Sequence, residues 1–385
     1  MIRKLLGESR IYRAWLALLL VFIGVGLVFY VLQLIYGLKI TGLGRDVSWG
    51  LYIANLTFFV GVAASAVMVV LPYYLHNFKE FGRITILGEY LAVSAVAISM
   101  ISVIVDLGQP GRMMNLILYP SPNSVLFWDV VVLGGYLLIN FVIASTNLYA
   151  EHKSKTPPAW VKPLIYLSIP WAVGIHTATA FIYSGLAAKP FWMTALLAPR
   201  FLSSAFASGP ALLIIIGLIL RRFTKFDPGK VALQKLALIA TYGIIITMFF
   251  LVVEIFTVFY SRIPEHMMHF QYLFFGLDEH GVLVPWMWTS IVLAFVAIII
   301  LINPNTRKRT NTLVIACVAV FVSMWIDKGL GLIVPGFIPS PSGEVVEYWP
   351  SAPEIFIALG VVALGLFMLT ILYKITISVK EKAES

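Results

Sequence analysis

Residues 14–35 read AWLALLLVFIGVGLVFYVLQLI, an unbroken apolar stretch without a charged side chain. A helix rises about 1.5 Å per residue, so this stretch is long enough to cross a bilayer core of about 30 Å. Nine comparable stretches follow, at 49–75, 84–106, 125–148, 161–185, 203–222, 233–260, 284–303, 311–334 and 352–377. The sequence therefore predicts an all-α polytopic membrane protein with about ten transmembrane helices.

The composition agrees with a lipid bilayer as the surrounding medium. Of the 385 residues, 60% are hydrophobic and 12% are charged, whereas ordinary soluble domains are about 25% charged. The net charge of +9 arises from short Lys and Arg clusters between apolar stretches. Because these clusters form no continuous basic stripe, we do not expect nucleic acid as a partner. Residues 1–13 resemble the start of a signal peptide, but no small-residue cleavage site follows, which favours a retained first span.

The distribution of basic residues predicts the orientation. With the N-terminus inside, 20 of the 27 Lys and Arg residues fall in inner segments. The positive-inside rule then predicts a multi-pass protein of the cytoplasmic membrane with both termini cytoplasmic. Six tryptophans fall at outer interfaces, as in an aromatic belt: Trp49, Trp128, Trp192, Trp286, Trp288 and Trp349. The outer segments hold only Lys39, Arg45, Arg112, Lys189, Arg200, Arg262 and Lys328.

The spans suggest an internal organisation within one membrane domain, 1–385. Spans two to five (49–185) are predicted to form a first four-helix bundle, and spans six to nine (203–334) a second. The stretches 14–35 and 352–377 would flank them. Gly61 and Ser65 form a small-xxx-small pair on the second span, which predicts close approach of a neighbouring helix.

Polar residues inside hydrocarbon are costly, and each is a candidate for function. Counted from the span ends, five of them fall in the outer half of the bilayer: Asn55, Asp106, Asp129, His176 and Glu254. This shared depth predicts one or two pockets near the outer face. His176, Thr179 and Tyr183 follow helical spacing and predict one polar stripe, whereas Glu89 lies toward the inner end of the third span.

Each candidate also has a structural interpretation. Asp106 could cap an interfacial turn with Arg112 as its partner, and Asp129 could be an ordinary residue at a helix start, where the macrodipole favours an acid. His176 could be a packing histidine. Glu254 and Glu89 could be buried structural acids. A cluster in the loop before the eighth span has no distinctive ligand spacing, so we predict no metal site there: Glu265, His266, His269, Asp278, Glu279 and His280.

Several cofactors are excluded by residue type. A transmembrane haem usually takes two axial histidines from facing helices, and only His176 lies deep in a span. Cys317 is the single cysteine, so this chain cannot ligate an iron–sulfur cluster and any such cluster belongs to a partner. The sequence contains no phosphate-binding glycine loop, nucleophile elbow or HExxH motif.

Three segments carry a resemblance to a known family. They are WGLYIANLTFFVGVAAS at 49–65, DLGQPGR at 106–112, and the segment from His176 to Trp192 with Ser184-Gly185 and KPFW at 189–192. In this order they resemble the NrfD/polysulfide reductase (PsrC-like) membrane-subunit family, and the resemblance extends over nearly the whole chain. Because the chain has ten spans, it is most similar to the DsrP and HybB branches of this family, and more similar to DsrP than to HybB.

The resemblance implies a quinone-binding subunit of a respiratory oxidoreductase complex, including those of sulfur metabolism. Such a subunit binds menaquinone or another quinone near the outer face, holds no haem or iron–sulfur cluster, and exchanges electrons with a ferredoxin-like iron–sulfur subunit bound there. Asp106 matches the family's aspartate at the quinone pocket. Asn55 and His176 match polar pocket positions.

The chemistry of quinol oxidation assigns roles to these residues, because a quinol loses two protons with its two electrons. His176 and Asp106 would take protons, and Asn55, Tyr183 and Arg112 would bind the headgroup. Proton translocation would use an additional set, namely Glu254, Glu89 and Asp129. Two alternative functions remain open. One is a secondary transporter, for which polar sites near the midplane would be expected. The other is a passive membrane anchor.

Overall fold

The computed structural model describes residues 9–340 and 342–383. Arg3 and Lys4 of the predicted inner cluster, and Pro341 of an outer loop, lie outside the described residues. Within them, ten helices are long and apolar enough to cross a membrane, which confirms the all-α polytopic prediction. They are α1 (Arg10–Tyr36), α2 (Leu51–Tyr74), α3 (Thr85–Asp106), α4 (Val125–His152), α5 (Val161–Ser184), α6 (Leu197–Phe223), α7 (Lys230–Ser261), α8 (Val284–Ile302), α9 (Thr310–Phe337) and α10 (Ala352–Lys382).

Helix α2 lies at the centre of the molecule. Every residue of Leu51–Val62 is buried, and the helix packs against α3, α5, α6 and α9. A Cβ atom on Gly61 would lie 3.1 Å from Nζ of Lys328, and one on Gly209 of α6 would lie 2.9 Å from the backbone nitrogen of Ser65. The predicted close helix approach at Gly61 and Ser65 is thus confirmed, because larger side chains would force the helices apart.

The helix contacts close two rings of consecutive helices, α2 to α5 and α6 to α9, which meet where α2 and α5 contact α6. The division of the chain into two bundles as domains stays a prediction. Helices α1 and α10 pack on each other, and α10 also packs on α3 and α4. Where α1 and α10 cross, a Cβ atom on Gly26 would lie 2.7 Å from Cα of Gly360, so glycine permits this close crossing.

The structure corrects the ends of two spans. Helix α6 begins at Leu197, and α9 continues through a π-helical turn, Ile326–Leu330, to Phe337. Arg200, which the sequence placed before the sixth span, and Lys328, which was counted with the outer residues although it lies in the stretch 311–334, are therefore buried within spans. For Arg200 the physical reason is that hydropathy begins a span after the last charge, whereas a charge with an internal partner can lie inside the helix.

The aromatic belt is also only partly as predicted. Trp128, Trp288 and Trp349 are exposed at helix ends or loops, but Trp192 is completely buried. Below, inner and outer refer to the predicted orientation, in which both termini are inside.

Candidate functional site

His176 on α5 is the only histidine buried within a described span, with 1% of its surface exposed. Its Nδ1 lies 2.7 Å from the carbonyl oxygen of Ala172, one turn earlier. Because a carbonyl can only accept, Nδ1 carries the proton, and Nε2 of the neutral ring is left as an acceptor. Nε2 is buried and, among the described residues, has no hydrogen-bond partner. The side chain therefore offers one free acceptor inside the bundle.

The polar stripe of α5 contacts two neighbouring helices. Thr179 donates a hydrogen bond of 2.7 Å to Oδ1 of the buried Asp129 on α4. The hydroxyl of Tyr183 lies 2.5 Å from Oγ1 of Thr57 on α2. The spacing of His176, Thr179 and Tyr183 thus predicted one shared helix face correctly, and this face lies between α2 and α4.

An aromatic cluster covers the outer end of this stripe. Trp49 packs against Tyr183, Trp192 and Phe337, with ring centroids 5.7 to 5.8 Å apart. Trp192 also lies 5.4 Å from Tyr183 and donates a hydrogen bond to the carbonyl of Leu332. Tyr183 is fully buried beneath this cluster.

Asp106 lies at the end of α3. Its Oδ1 is buried and has no hydrogen-bond partner within the described chain, and Tyr52, Tyr183 and Glu354 lie within electrostatic reach. Tyr52 donates to Oε1 of Gln33, whose amide donates to the carbonyl of Val105.

Arg112, predicted as a headgroup ligand and as a partner of Asp106, is exposed on the outer loop. No ion pair joins it to Asp106 within the described chain, so a capped turn does not account for this acid.

Asn55 faces α9. Its Oδ1 accepts a hydrogen bond of 3.1 Å from Nε1 of Trp325. Each residue of a helix is rotated by about 100° from the one before, so Tyr52, Asn55 and Thr57 point toward three different neighbours. Asp129 and Thr57 thus contact the α5 face that carries His176. Both Asp129 and Asp106 lie within electrostatic reach of Tyr183, whereas Asn55 faces α9.

Glu254, predicted as part of a proton path, is held in a buried ion cluster in the second ring. Arg200 bonds Oε2 of Glu254 at 2.7 Å and Oδ1 of Asp327 at 2.6 Å. Lys328 lies over the ring of Phe201 and completes a group of two cations and two acids. Three of them, Arg200, Asp327 and Lys328, line a cavity of about 10 Å³ with Ser204. Sequence reasoning missed Arg200 and Asp327. The adjacent charged residues Asp327 and Lys328 within the apolar stretch 311–334 could have indicated a buried ion pair.

The outer cap of the second ring contains a second buried histidine. His269, on the short helix Pro264–Phe274, packs against Phe191, and its Nδ1 lies 2.9 Å from the carbonyl of Pro335. Burial lowers the pKa of His269 from 6.5 to about 4. Within the described residues, no group of three or more His, Cys, Asp or Glu side chains is placed to hold a metal ion.

The low pKa of His269 predicts a pH-dependent cap. Because unfolding of this helix restores the higher pKa, its stability is complete above about pH 6.5 and falls as the pH approaches about 4. Amide hydrogen exchange of residues 264–274, corrected for intrinsic rates, should report increased opening over that interval. His269→Gln cannot titrate and should lose this pH dependence. An equal pH dependence in the variant would assign the effect to another group.

The fold and its buried polar groups define a polytopic membrane protein with ionisable side chains sealed among its helices. The family model described as "Polysulphide reductase, NrfD" matches residues 39–339. The chain belongs to this family. The narrower similarity to the DsrP and HybB branches stays a prediction.

Three relatives match over nearly their full length. The chain is 25% identical to a putative dimethyl sulfoxide reductase membrane subunit from Halobacterium salinarum, over 92% of this chain and 88% of that protein. It is 26% identical to the Hdr-like menaquinol oxidoreductase integral membrane subunit of Archaeoglobus fulgidus, over 99% and 97%. It is 20% identical to the menaquinone reductase integral membrane subunit of Nitratidesulfovibrio vulgaris, over 94% and 91%. All three names are those of membrane subunits of redox enzymes.

Proposed function

We propose that this protein is the quinone-reactive membrane subunit of a respiratory oxidoreductase complex. The observation that carries the proposal is Nε2 of His176, an acceptor buried in a span that has no partner among the described side chains and backbone groups. Unpartnered buried polar atoms are rare in native proteins, and a ligand is one explanation for them. A quinol hydroxyl is a donor of matching chemistry. The names of the relatives from A. fulgidus and N. vulgaris, which refer to menaquinol and menaquinone, support the same class of ligand.

The residues around His176 can accept and transfer the protons that this reaction releases. Oxidation of a quinol to a quinone releases two protons and two electrons. His176 accepts a hydrogen bond from one hydroxyl and then its proton. Tyr183 and Thr57 provide hydroxyls one and a half to two turns farther out, and Asp129 provides a carboxyl group held by Thr179. Asp106, whose Oδ1 has no partner among the described residues and which lies within electrostatic reach of Tyr183, would be a second polar contact.

The electrons leave to a partner protein, because the single cysteine of this chain cannot ligate an iron–sulfur cluster. A docking surface lies directly after Asp106. Apolar side chains of the short helix Asn115–Leu118 and its neighbours are more than half exposed outside the spans: Met114, Ile117, Leu118 and Tyr119. Exposed apolar patches of this kind mark interaction sites, and we assign this one to a ferredoxin-like iron–sulfur subunit.

The test is quinol-dependent reduction of the iron–sulfur cluster in the purified complex. We expect cluster reduction to require quinol and to be inhibited competitively by a quinol analogue that cannot be oxidised. The same complex in liposomes distinguishes the alternatives. A secondary transporter would move solute without any redox reaction, and a passive anchor would bind no quinol. Either result would contradict the proposal.

A further inference from the structure

Helix α9 carries two adjacent charges in its π-helical turn. Asp327 and Lys328 lie within Ile326–Leu330, and each is 4% exposed. Such turns are rare and frequently occur at functional sites. This one packs against α2, the central helix of the first ring. The two charges therefore lie close to the boundary between the rings.

The two charges differ in how they are compensated. Oδ1 of Asp327 accepts a hydrogen bond of 2.6 Å from Arg200. Nζ of Lys328 donates to the carbonyl oxygen of Phe201 at 3.3 Å and lies 4.3 Å from the centroid of the Phe201 ring. No carboxylate of the described residues lies within 4.0 Å of this nitrogen. An ammonium group has three N–H donors, so two of them have no acceptor in the described part of the chain.

Charge balance explains only part of this arrangement. Asp327 and Arg200 lie within electrostatic reach of Lys328, and with Glu254 the ion cluster is neutral when all four groups are ionised. Buried lysines, however, are almost always paired directly with an acid. Neutrality accounts for the positive charge of Lys328 but not for an ammonium group that contacts Phe201 instead of a carboxylate.

The ammonium group lies against the first ring. A Cβ atom on Gly61 of α2 would lie 3.1 Å from Nζ of Lys328, so glycine leaves the space that the ammonium group occupies. Gly61 is one turn from Thr57, whose hydroxyl lies 2.5 Å from that of Tyr183. The ring of Phe201, which contacts Lys328, lies 5.9 Å from the ring of Tyr183.

His176 is also within electrostatic reach of Lys328. In the described part of the chain, Nε2 of His176 is an acceptor without a donor, and Lys328 has N–H donors without acceptors. A quinol can serve both groups. Its hydroxyl hydrogen is a donor for the histidine, and its oxygen lone pairs are acceptors for the ammonium group.

The first step of quinol oxidation creates a charge that a cation stabilises. Transfer of one hydroxyl proton to Nε2 breaks an O–H bond and forms an N–H bond, which leaves a quinolate anion and an imidazolium cation, and no electron moves. An anion in a dry interior is strongly disfavoured. A cation already held in place stabilises it without reorganisation. The same cation repels the imidazolium, which favours release of the proton from His176.

We propose that Lys328 is a quinone ligand supplied by the second ring, and that its ammonium group stabilises the quinolate formed when His176 takes a proton. The inference rests on the proposed function, since quinol bound at His176 is the source of the anion. The competing interpretation is a lysine that only balances the charges of the ion cluster.

Turnover of a water-soluble naphthoquinol by the purified complex tests this role. We expect Lys328→Met to lower kcat about a hundredfold, the typical effect of removing one electrostatic group that stabilises a developing anion. The KM should stay close to the native value, because the neutral quinol gains little from the charge. Lys328→Arg keeps a cation and should restore part of the rate. Lys225→Met is the matched control, because Lys225 is an exposed lysine on the inner loop.

A double variant separates the ligand role from charge balance. Asp327→Asn/Lys328→Met removes one charge of each sign, so the ion cluster stays neutral and the fold is expected to persist if Lys328→Met alone does not fold. We expect the double variant to lose as much kcat as Lys328→Met. A lysine that only balances the cluster would leave the double variant with the native kcat.

Infrared redox-difference spectra with a naphthoquinone as the probe give a readout that does not depend on turnover. A cation beside a quinone oxygen weakens the C=O bond, so the carbonyl band should lie at a lower frequency in the native complex than in the double variant. A native kcat or an unchanged carbonyl band in the double variant would overturn the role of Lys328 and leave the proposed function intact. Failure of the native complex to oxidise the quinol would overturn both.

Discussion

Arg200→Ala is expected to destabilise the protein by about 3–5 kcal/mol, which is the typical effect of removing one partner from a buried ion cluster. The guanidinium group is the direct partner of both Glu254 and Asp327, and all three side chains are buried between α6, α7 and α9. Without Arg200, Lys328 is the remaining cation of the cluster, and it bonds the carbonyl of Phe201. One excess negative charge would then remain in a dry interior.

The unfolding midpoint in detergent micelles measures this effect. Arg200→Lys keeps the charge but not the planar fork that bonds two acids at once, so an intermediate loss is expected. The double variant Arg200→Met/Glu254→Leu removes one charge of each sign and should recover much of the stability. Arg45→Ala, at an exposed outer-loop position, should have no effect. A double variant that is less stable than Arg200→Ala would show that packing, rather than charge balance, determines the loss.

His176→Ala is expected to reduce quinol oxidation by the complex about a hundredfold, the lower range of what a positioned general base contributes. The reason is that Nε2 of His176 is a buried acceptor without a partner in the described part of the chain, on the α5 face whose Thr179 and Tyr183 contact α4 and α2. Ala172 and Asp129 would be unaffected by the substitution, so the helix and the Thr179 hydrogen bond should persist. Assembly of the complex should therefore remain normal.

His176→Gln separates proton transfer from binding. The glutamine amide can accept a hydrogen bond but cannot take a proton near neutral pH, so the apparent KM should stay close to the native value while kcat falls. His152→Ala, an exposed histidine at the inner end of α4, is the matched control. If His176→Ala prevents assembly but leaves turnover per assembled complex unchanged, the histidine is a packing residue.

The spans could be predicted from the chain because hydrocarbon imposes a length and an apolar composition on any helix that crosses it. Helical spacing likewise placed His176, Thr179 and Tyr183 on one face. Asp129 and Glu89 were identified as intramembrane acids, and both are buried. Lys328 was instead counted with the outer residues, because a count of charges does not show which of them a helix buries.

Depth in the membrane was a weaker guide than spacing along a helix. Asn55, Asp106 and His176 were expected in a common region, yet Asn55 bonds Trp325 of α9, Asp106 lies within electrostatic reach of Glu354 of α10, and Thr179, one turn from His176, bonds Asp129 of α4. Depth specifies one coordinate of a side chain, whereas a pocket also requires the helix rotation and the choice of neighbour, which packing sets.

The number of spans, their approximate limits and the polar faces of single helices follow from hydropathy and the helical repeat, both of which are local properties of the chain. Which faces meet is a non-local property. The cluster of Arg200, Glu254 and Asp327 joins three helices that are distant in sequence, and its charges are tolerated only because they neutralise one another in space. The close backbone contact between Gly209 and Ser65 fixes how the two rings meet, and that arrangement, not any single segment, leaves Nε2 of His176 without a partner among the described residues.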